Sequence, residues 1–305
     1  MTLLDGVKSK VSNNTTVRFA EGSGLETTDQ EKLAKAVALA KQSDVVILAV
    51  GEDADKTGEA ASRTSIELYP AQQELVKAIH STGTPIVMVL MNGRPLAIEW
   101  SEANIPSILN GWHLGSEAGN ALADVLFGDY NPSGKLTMTV PRKTGQIPVF
   151  YNRKRISRPL DDTRHTSKYV DSSNDPLYPF GYGLSYTNFS YSAIKLSSDS
   201  IDLDESLKAS VTVTNTGKRF GEEVVQLYTK DMVGSAVRTV MELKGFEKIA
   251  LKAGESQKVS FTIDADDLAF YTRDMSFKAE PGDFALMIGP SSVNYESVPF
   301  SLTVD

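Results

Sequence analysis

Cysteine is missing from this chain and histidine is scarce, with three in 305 residues. Without cysteine there can be no disulfide, no thiolate catalysis and no cysteine-ligated zinc. His80, His113 and His165 stand at no metal-motif spacing, so no metal site is expected. Positive charge is also in deficit. Thirty-one Lys and Arg against 39 Asp and Glu leave a net charge of −8, the wrong balance for a nucleic acid or anionic lipid partner, both of which need clustered cations. No apolar run approaches the ~18 residues of a membrane span. The first eight residues lack the basic-then-apolar order of a secretion signal. Asp55-Lys56-Thr57 lacks the glycine that precedes the lysine of a phosphate loop, which removes nucleotide binding, and no cofactor is expected.

What is present falls into two patterns. Up to about residue 145, short apolar runs alternate with helical periodicity, the mark of a mostly parallel sheet with crossover helices on both faces, an α/β sandwich. Strands are expected at 16–20, 45–50, 85–91, 107–112 and 136–140; the run Val45 to Val50 is apolar on both faces, as a buried parallel strand must be. Asp29 is placed to cap a helix whose Leu33, Ala36, Val37 and Ala40 share a face, and Pro70 suits the first turn of another that turns Leu75, Val76 and Ile79 inward. A third helix is expected from about Ser116 to Phe127.

From about residue 185 the period becomes two, as in Ala209 to Thr214 and Lys258 to Ile263, with turns at Asn215-Thr216-Gly217, Lys252 to Glu255 and Glu280 to Asp283. This spacing predicts an all-β sandwich of about seven strands over 185–305. Residues 146–184, rich in Arg, Asp, Ser and Pro, read as a linker wrapping between the domains.

Several motifs then occur in a characteristic order: Leu90-Met91-Asn92-Gly93-Arg94-Pro95, Gly115-Ser116-Glu117-Ala118-Gly119, Phe127-Gly128-Asp129-Tyr130-Asn131-Pro132-Ser133-Gly134-Lys135-Leu136, Gln146-Ile147-Pro148, the run Pro176 to Tyr186 containing Phe180-Gly181-Tyr182-Gly183, and Leu243 to Lys248. Together they resemble glycoside hydrolase family 3 of the bacterial β-glucosidase type over essentially the whole chain. The resemblance implies an α/β/α sandwich followed by a fibronectin type III-like domain. Enzymes of that family begin with a barrel domain carrying the aspartate nucleophile and most of the sugar pocket. No such segment is expected among these 305 residues, so the barrel enters as a partner in cis or trans and the isolated chain is expected to be inactive. The implied substrates are β-linked glucosides or oligosaccharides, and the implied location is periplasmic or extracellular.

By the same resemblance Glu117 is the general acid/base of a retaining exo-β-glucosidase, in which two carboxyl groups flank the scissile bond. Its position after a strand and at the start of a helix suits a ligand site in an open α/β sheet. The plainer reading is a first-turn glutamate complementing the helix dipole behind a Ser116 cap. The loop 51–65 resembles the one that leans over the barrel's pocket and on that reading should be mobile without a barrel; Glu59, Ser62 and Arg63 are its candidate sugar contacts, weighed evenly against a solvated surface loop of the same composition. Trp112 and His113 are placed to line the cleft or fill the core. Arg94, at a strand end, is placed to hold either a ligand or a buried carboxylate such as Asp124, with the structural use preferred, and Phe180 to Gly183 to serve architecture. The competing function is a non-catalytic carbohydrate-binding or assembly module.

Overall fold

In the computed structural model, which describes residues 1–154 and 166–304, the apolar runs form a parallel sheet of three strands. Strands β1 (Val46–Gly51), β2 (Ile86–Met91) and β3 (Ser107–Asn110) lie in that order, with Gly51 opposite Met91 and Leu90 opposite Asn110. Met88, Val89 and Leu90 are almost completely buried, as a strand flanked on both sides requires. The expected segment 16–20 forms no strand.

Helix α1 (Leu3–Lys10) opens the chain. A capping box between Thr2 and Asp5, a short-range signal the periodicity reading passes over, starts it. It packs against α5 (Ala118–Phe127) at glycine contacts: a Cβ on Gly6 would lie 2.1 Å from the Gly119 carbonyl oxygen. Lys10 bridges Asp124 and Asp129 across the same pair. Helix α2 (Gln30–Ala40) is capped by Asp29, whose Oδ1 accepts from the amides of Glu31 and Lys32 and so satisfies two orphan donors of the first turn. Helix α3 (Pro70–His80) has Pro70 in its first turn and buries Leu75, Val76 and Ile79. A short α4 (Glu99–Asn104) precedes β3.

The expected strand 136–140 is absent from this sheet. Its Leu136 is half-buried and its Met138 exposed, so the segment lacks the two-sided burial of a central parallel strand. The Leu136 amide donates to Tyr182, and the Leu136 carbonyl accepts from Gly181. Residues Asn131–Thr139 accordingly belong with Pro148–Asp305, and Val140–Ile147 with Met1–Tyr130, as two compact units.

The second unit is a β-sandwich. One sheet joins β10 (Ser256–Asp264), β7 (Ser206–Asn215) and β4 (Phe189–Tyr191), with β5 (Lys195–Leu196) also on β7; the other runs β6 (Ser200–Asp202), β14 (Glu296–Thr303), β13 (Gly282–Gly289), β8 (Gly221–Asp231), β9 (Glu242–Leu251). Among the described residues the two sheets hold nine strands where about seven are expected; β4, β5 and β6, two or three residues long, are too short to carry a period. A single-turn helix (Ala265–Leu268) and a ribbon of two-residue strands, β11 (Phe270–Tyr271) with β12 (Phe277–Lys278), connect β10 to β13. Inward residues such as Leu207, Val213, Leu227, Leu286 and Phe300 make one core.

Part of the linker packs on this unit: Tyr151 stacks on Phe180 at 4.2 Å beside the buried Tyr228. Gly181 has φ +80°, and a Cβ there would stand 2.1 Å from Gln226 Oε1, so the Phe180 to Gly183 turn is architectural, as expected. His165 lies outside the described residues.

Candidate active site

Because the three strands are parallel and in register, the segments that follow them, 52–65, 92–97 and 111–117, start side by side at one edge of the sheet. Ligands of open α/β sheets collect at this carboxyl edge.

Glu117 occupies the N-cap position of α5, displacing Ser116 from the role expected of it. Its side chain makes no capping bond. Instead Oε2 accepts from Asn120 Nδ2 at 2.6 Å, which leaves an exposed carboxylate held from one side at the mouth of the sheet. The segment leading to it is strained: Trp112, half-buried, has φ +50°, and its amide donates to Asn110 Oδ1 at 3.2 Å. A left-handed tryptophan costs on the order of 1–3 kcal/mol and persists only where its surroundings over-determine it.

The loop 51–65 is organised by a carboxylate that sequence reasoning passed over. The Glu52 side chain is 0% exposed. Arg63 Nη1 donates to its Oε1 at 3.1 Å, Arg94 Nε lies 2.9 Å from the same oxygen as an ion pair without a well-directed hydrogen bond, and the Gly93 amide donates to Oε2 at 3.1 Å. Both guanidiniums continue outward. Arg94 Nη2 donates to the carbonyls of Lys56 and Ala61, at 3.0 and 2.8 Å; Arg63 Nη2 donates to the Glu67 carbonyl at 2.9 Å and its guanidinium lies 4.1 Å from the Tyr69 ring centroid. Arg94 therefore serves a buried carboxylate as expected, but that carboxylate is Glu52; Asp124 is taken by Lys10. The loop is tied to the sheet at these points while Asp53 to Lys56, Glu59 and Ser62 stay exposed. The available signal was Glu52 itself, an acidic residue directly behind an apolar strand run, where a cation makes its burial tolerable.

Arg63 thus faces Glu52, while Glu59 and Ser62 are exposed on the same loop. Thr57 Oγ1 lies 3.3 Å from His113 Nε2, joining the loop to the segment that ends at Glu117. The two meet over Gly93, where a Cβ would stand 2.2 Å from Thr57 Oγ1 and 2.5 Å from His113 Nε2. Among the described residues no group of three or more His, Asp or Glu could hold a metal ion, and no helix is long and apolar enough to cross a membrane.

An α/β sandwich with a carboxylate at its open strand edge, joined to a fibronectin-like sandwich, defines the class. Residues 1–186 match the glycosyl hydrolase family 3 C-terminal domain and residues 223–292 the fibronectin type III-like domain. The chain belongs to glycoside hydrolase family 3, the family of β-glucosidases and β-xylosidases, and corresponds to its C-terminal region. It is 44% identical to a periplasmic β-glucosidase of Salmonella typhimurium over 99% of its own length and 42% of that protein, and 44% identical to a β-xylosidase of Formosa agariphila over 100% and 42%. The crystal structure of a Listeria innocua β-glucosidase in complex with glucose superposes with a TM-score of 0.88 at 39% identity, over 92% of this chain and 39% of that one. The chain spans about two fifths of the length of these relatives.

Proposed function

We propose that the chain supplies the general acid/base of a retaining exo-β-glucosidase, with Glu117 as the proton donor, and that the nucleophile comes from a barrel domain in cis or trans. The observation that carries this reading is Glu117 itself: an exposed carboxylate at the carboxyl edge of a parallel sheet that makes no capping bond to its helix and accepts from the Asn120 side chain. In the first step Glu117 delivers its proton to the departing glycosidic oxygen as the partner carboxylate attacks the anomeric carbon. In the second it takes a proton from the incoming water. Glu59, Ser62 and Trp112 are the proposed sugar contacts, through carboxylate, hydroxyl and ring face; Arg63 contributes by holding the loop that carries them. The substrates are β-linked glucosides or oligosaccharides, and the location is periplasmic or extracellular, as the name of the Salmonella relative suggests for this chain.

The chain alone is expected to give no appreciable hydrolysis of aryl β-glucosides, since the covalent route needs a nucleophile. Joined to a family 3 barrel, it should hydrolyse them with retention. Glu117→Ala should then lower kcat/KM for substrates with poor leaving groups by about 10²- to 10⁴-fold and leave activated aryl glucosides nearly untouched, because only the former need a proton. Equal losses on both substrates, with no rescue by azide, would remove Glu117 from the role. Sugar binding by the chain alone, undiminished when the barrel is present and inactive, would favour the carbohydrate-binding module instead.

A further inference from the structure

Glu52, Arg63 and Arg94 form a buried ionic cluster behind the proposed site, and the reaction just described does not use it. Three facts connect it to that site. Glu52 ties the end of β1 to the turn after β2 through the Gly93 amide and Arg94. Arg94 in turn holds the loop by two carbonyls, Lys56 and Ala61, that bracket Thr57. Thr57 meets His113, which lies four residues before Glu117 on the strained segment containing Trp112. The contact closes only because Gly93 has no side chain. A buried carboxylate with two guanidiniums is an expensive way to hold a surface loop, and isosteric apolar packing would do as well for stability alone. What the guanidinium forks add is direction, since each fixes several hydrogen bonds at once.

We propose that Glu52 is a positioning residue for the acid/base glutamate: through Arg94, Thr57 and His113 it sets the path of residues 111–117 and so the placement of the Glu117 carboxyl against the glycosidic oxygen. The proposal rests on the reading of Glu117 given above. Neutralising Glu52 removes the counter-charge shared by Arg63 and Arg94 and, in Glu52→Gln, sets an amide donor against the Gly93 N–H or against the guanidiniums, which releases the loop and lets the Trp112 to Glu117 segment relax. The carboxyl then remains present but misplaced, and misplacement on the scale of an ångström costs about 10²-fold.

Two measurements test it. In the full chain alone, Glu52→Gln should speed hydrogen exchange of backbone amides in 53–63 and also in 111–117, the second being the coupling that a purely local role would not produce. Unchanged exchange in 111–117 overturns the proposal. In the chain joined to a barrel, Glu52→Gln should reduce kcat/KM for poor leaving groups by ~10²-fold and for dinitrophenyl glucoside by ~3-fold at most. This ratio does not depend on how much of the enzyme is folded. Should Glu52→Gln fail to fold, Gly93→Ala and Thr57→Val, which leave the ionic cluster intact, should give the same split at smaller size. If Glu117→Ala shows the leaving-group split and none of these three variants does, positioning by Glu52 is wrong and the acid/base assignment stands. If Glu117→Ala shows no split, the acid/base assignment falls and takes this proposal with it.

Discussion

Glu52 in the α/β unit and Glu223 in the β unit are both withdrawn from water, with side-chain exposures of 0% and 5%, yet they are compensated by different chemistry. Glu52 stands at the open end of a strand and meets two guanidiniums and a backbone amide, and the guanidiniums pass on to carbonyls of three further residues. Glu223 stands within β8 and meets one ammonium, Lys135 at 3.0 Å, and the Tyr191 hydroxyl at 3.3 Å; Lys135 also donates to the Gly183 carbonyl. Burial outweighs the pull of Lys135 and pushes the Glu223 carboxyl above its ordinary value. An arginine pair spreads one buried charge over a whole loop, whereas a lysine pins a single strap, here residues 131–139, to a strand. Position matches the partner: the arginine cluster stands at the strand edge where three segments meet, and the lysine pair inside the sandwich fastens one strap.

The comparison breaks first at Glu52→Leu. Two guanidiniums that are 15% and 21% exposed would lose their counter-charge, and removing one partner of a buried pair costs about 3–5 kcal/mol. Urea unfolding of the chain should show this loss in the α/β unit. Lys135→Met should cost less, about 1–3 kcal/mol, because Glu223 can escape its isolation by taking up a proton. A loss as large as that of Glu52→Leu would mean that Glu223 stays charged without its lysine. Combining Lys135→Met with Glu223→Leu in a Tyr191→Phe background, so that no buried hydroxyl loses its acceptor, should bring stability back to within ~1 kcal/mol of that background, since an apolar pair of similar volume replaces a buried ion pair at little cost. A double variant as unstable as the sum of the singles would show that the strap depends on the charges themselves.

The smallest effect is in the pH dependence. A carboxyl whose folded value is raised binds more protons in the folded state than in the unfolded one, so its contribution to stability is fully present below the unfolded value and declines as pH rises towards and through the folded value. Stability of the β unit should therefore carry a downward slope above about pH 4.5 that Glu223→Gln removes. An unchanged slope in that variant would assign the titration to another group.

Much of the fold was legible in the chain itself. Capping by Asp29, the first-turn Pro70, the buried faces of α2 and α3, and the apolar run of β2 are local or periodic signals, and each reappears in the structure; β1 forms where its run stands, but as an edge strand it leaves Val45 and Ala49 exposed instead of burying both faces. The failures have a common cause. The segment 136–140 has strand composition, but its hydrogen-bonding partners are Gly181 and Tyr182, more than 40 positions away, and no local pattern reveals which partner an extended segment will choose. The same holds for Ser116 and Glu117, which compete for one N-cap position, and for Arg94, whose carboxylate could be chosen only once the strand order was known.

By itself the sequence determined the class of each unit, the order of the motifs, and that Glu117 follows a strand and opens a helix, because period, caps and turns are encoded within a few residues. Tertiary structure alone decided that Gly51, Met91 and Asn110 end at one edge, that Glu52 rather than Asp124 meets Arg94, and that Thr57 reaches His113 over Gly93. These are pairings between segments remote in the chain, fixed by parallel register and by which charge the packing leaves without water. Their partners are selected by the shape of the whole sheet, and no window of sequence contains it.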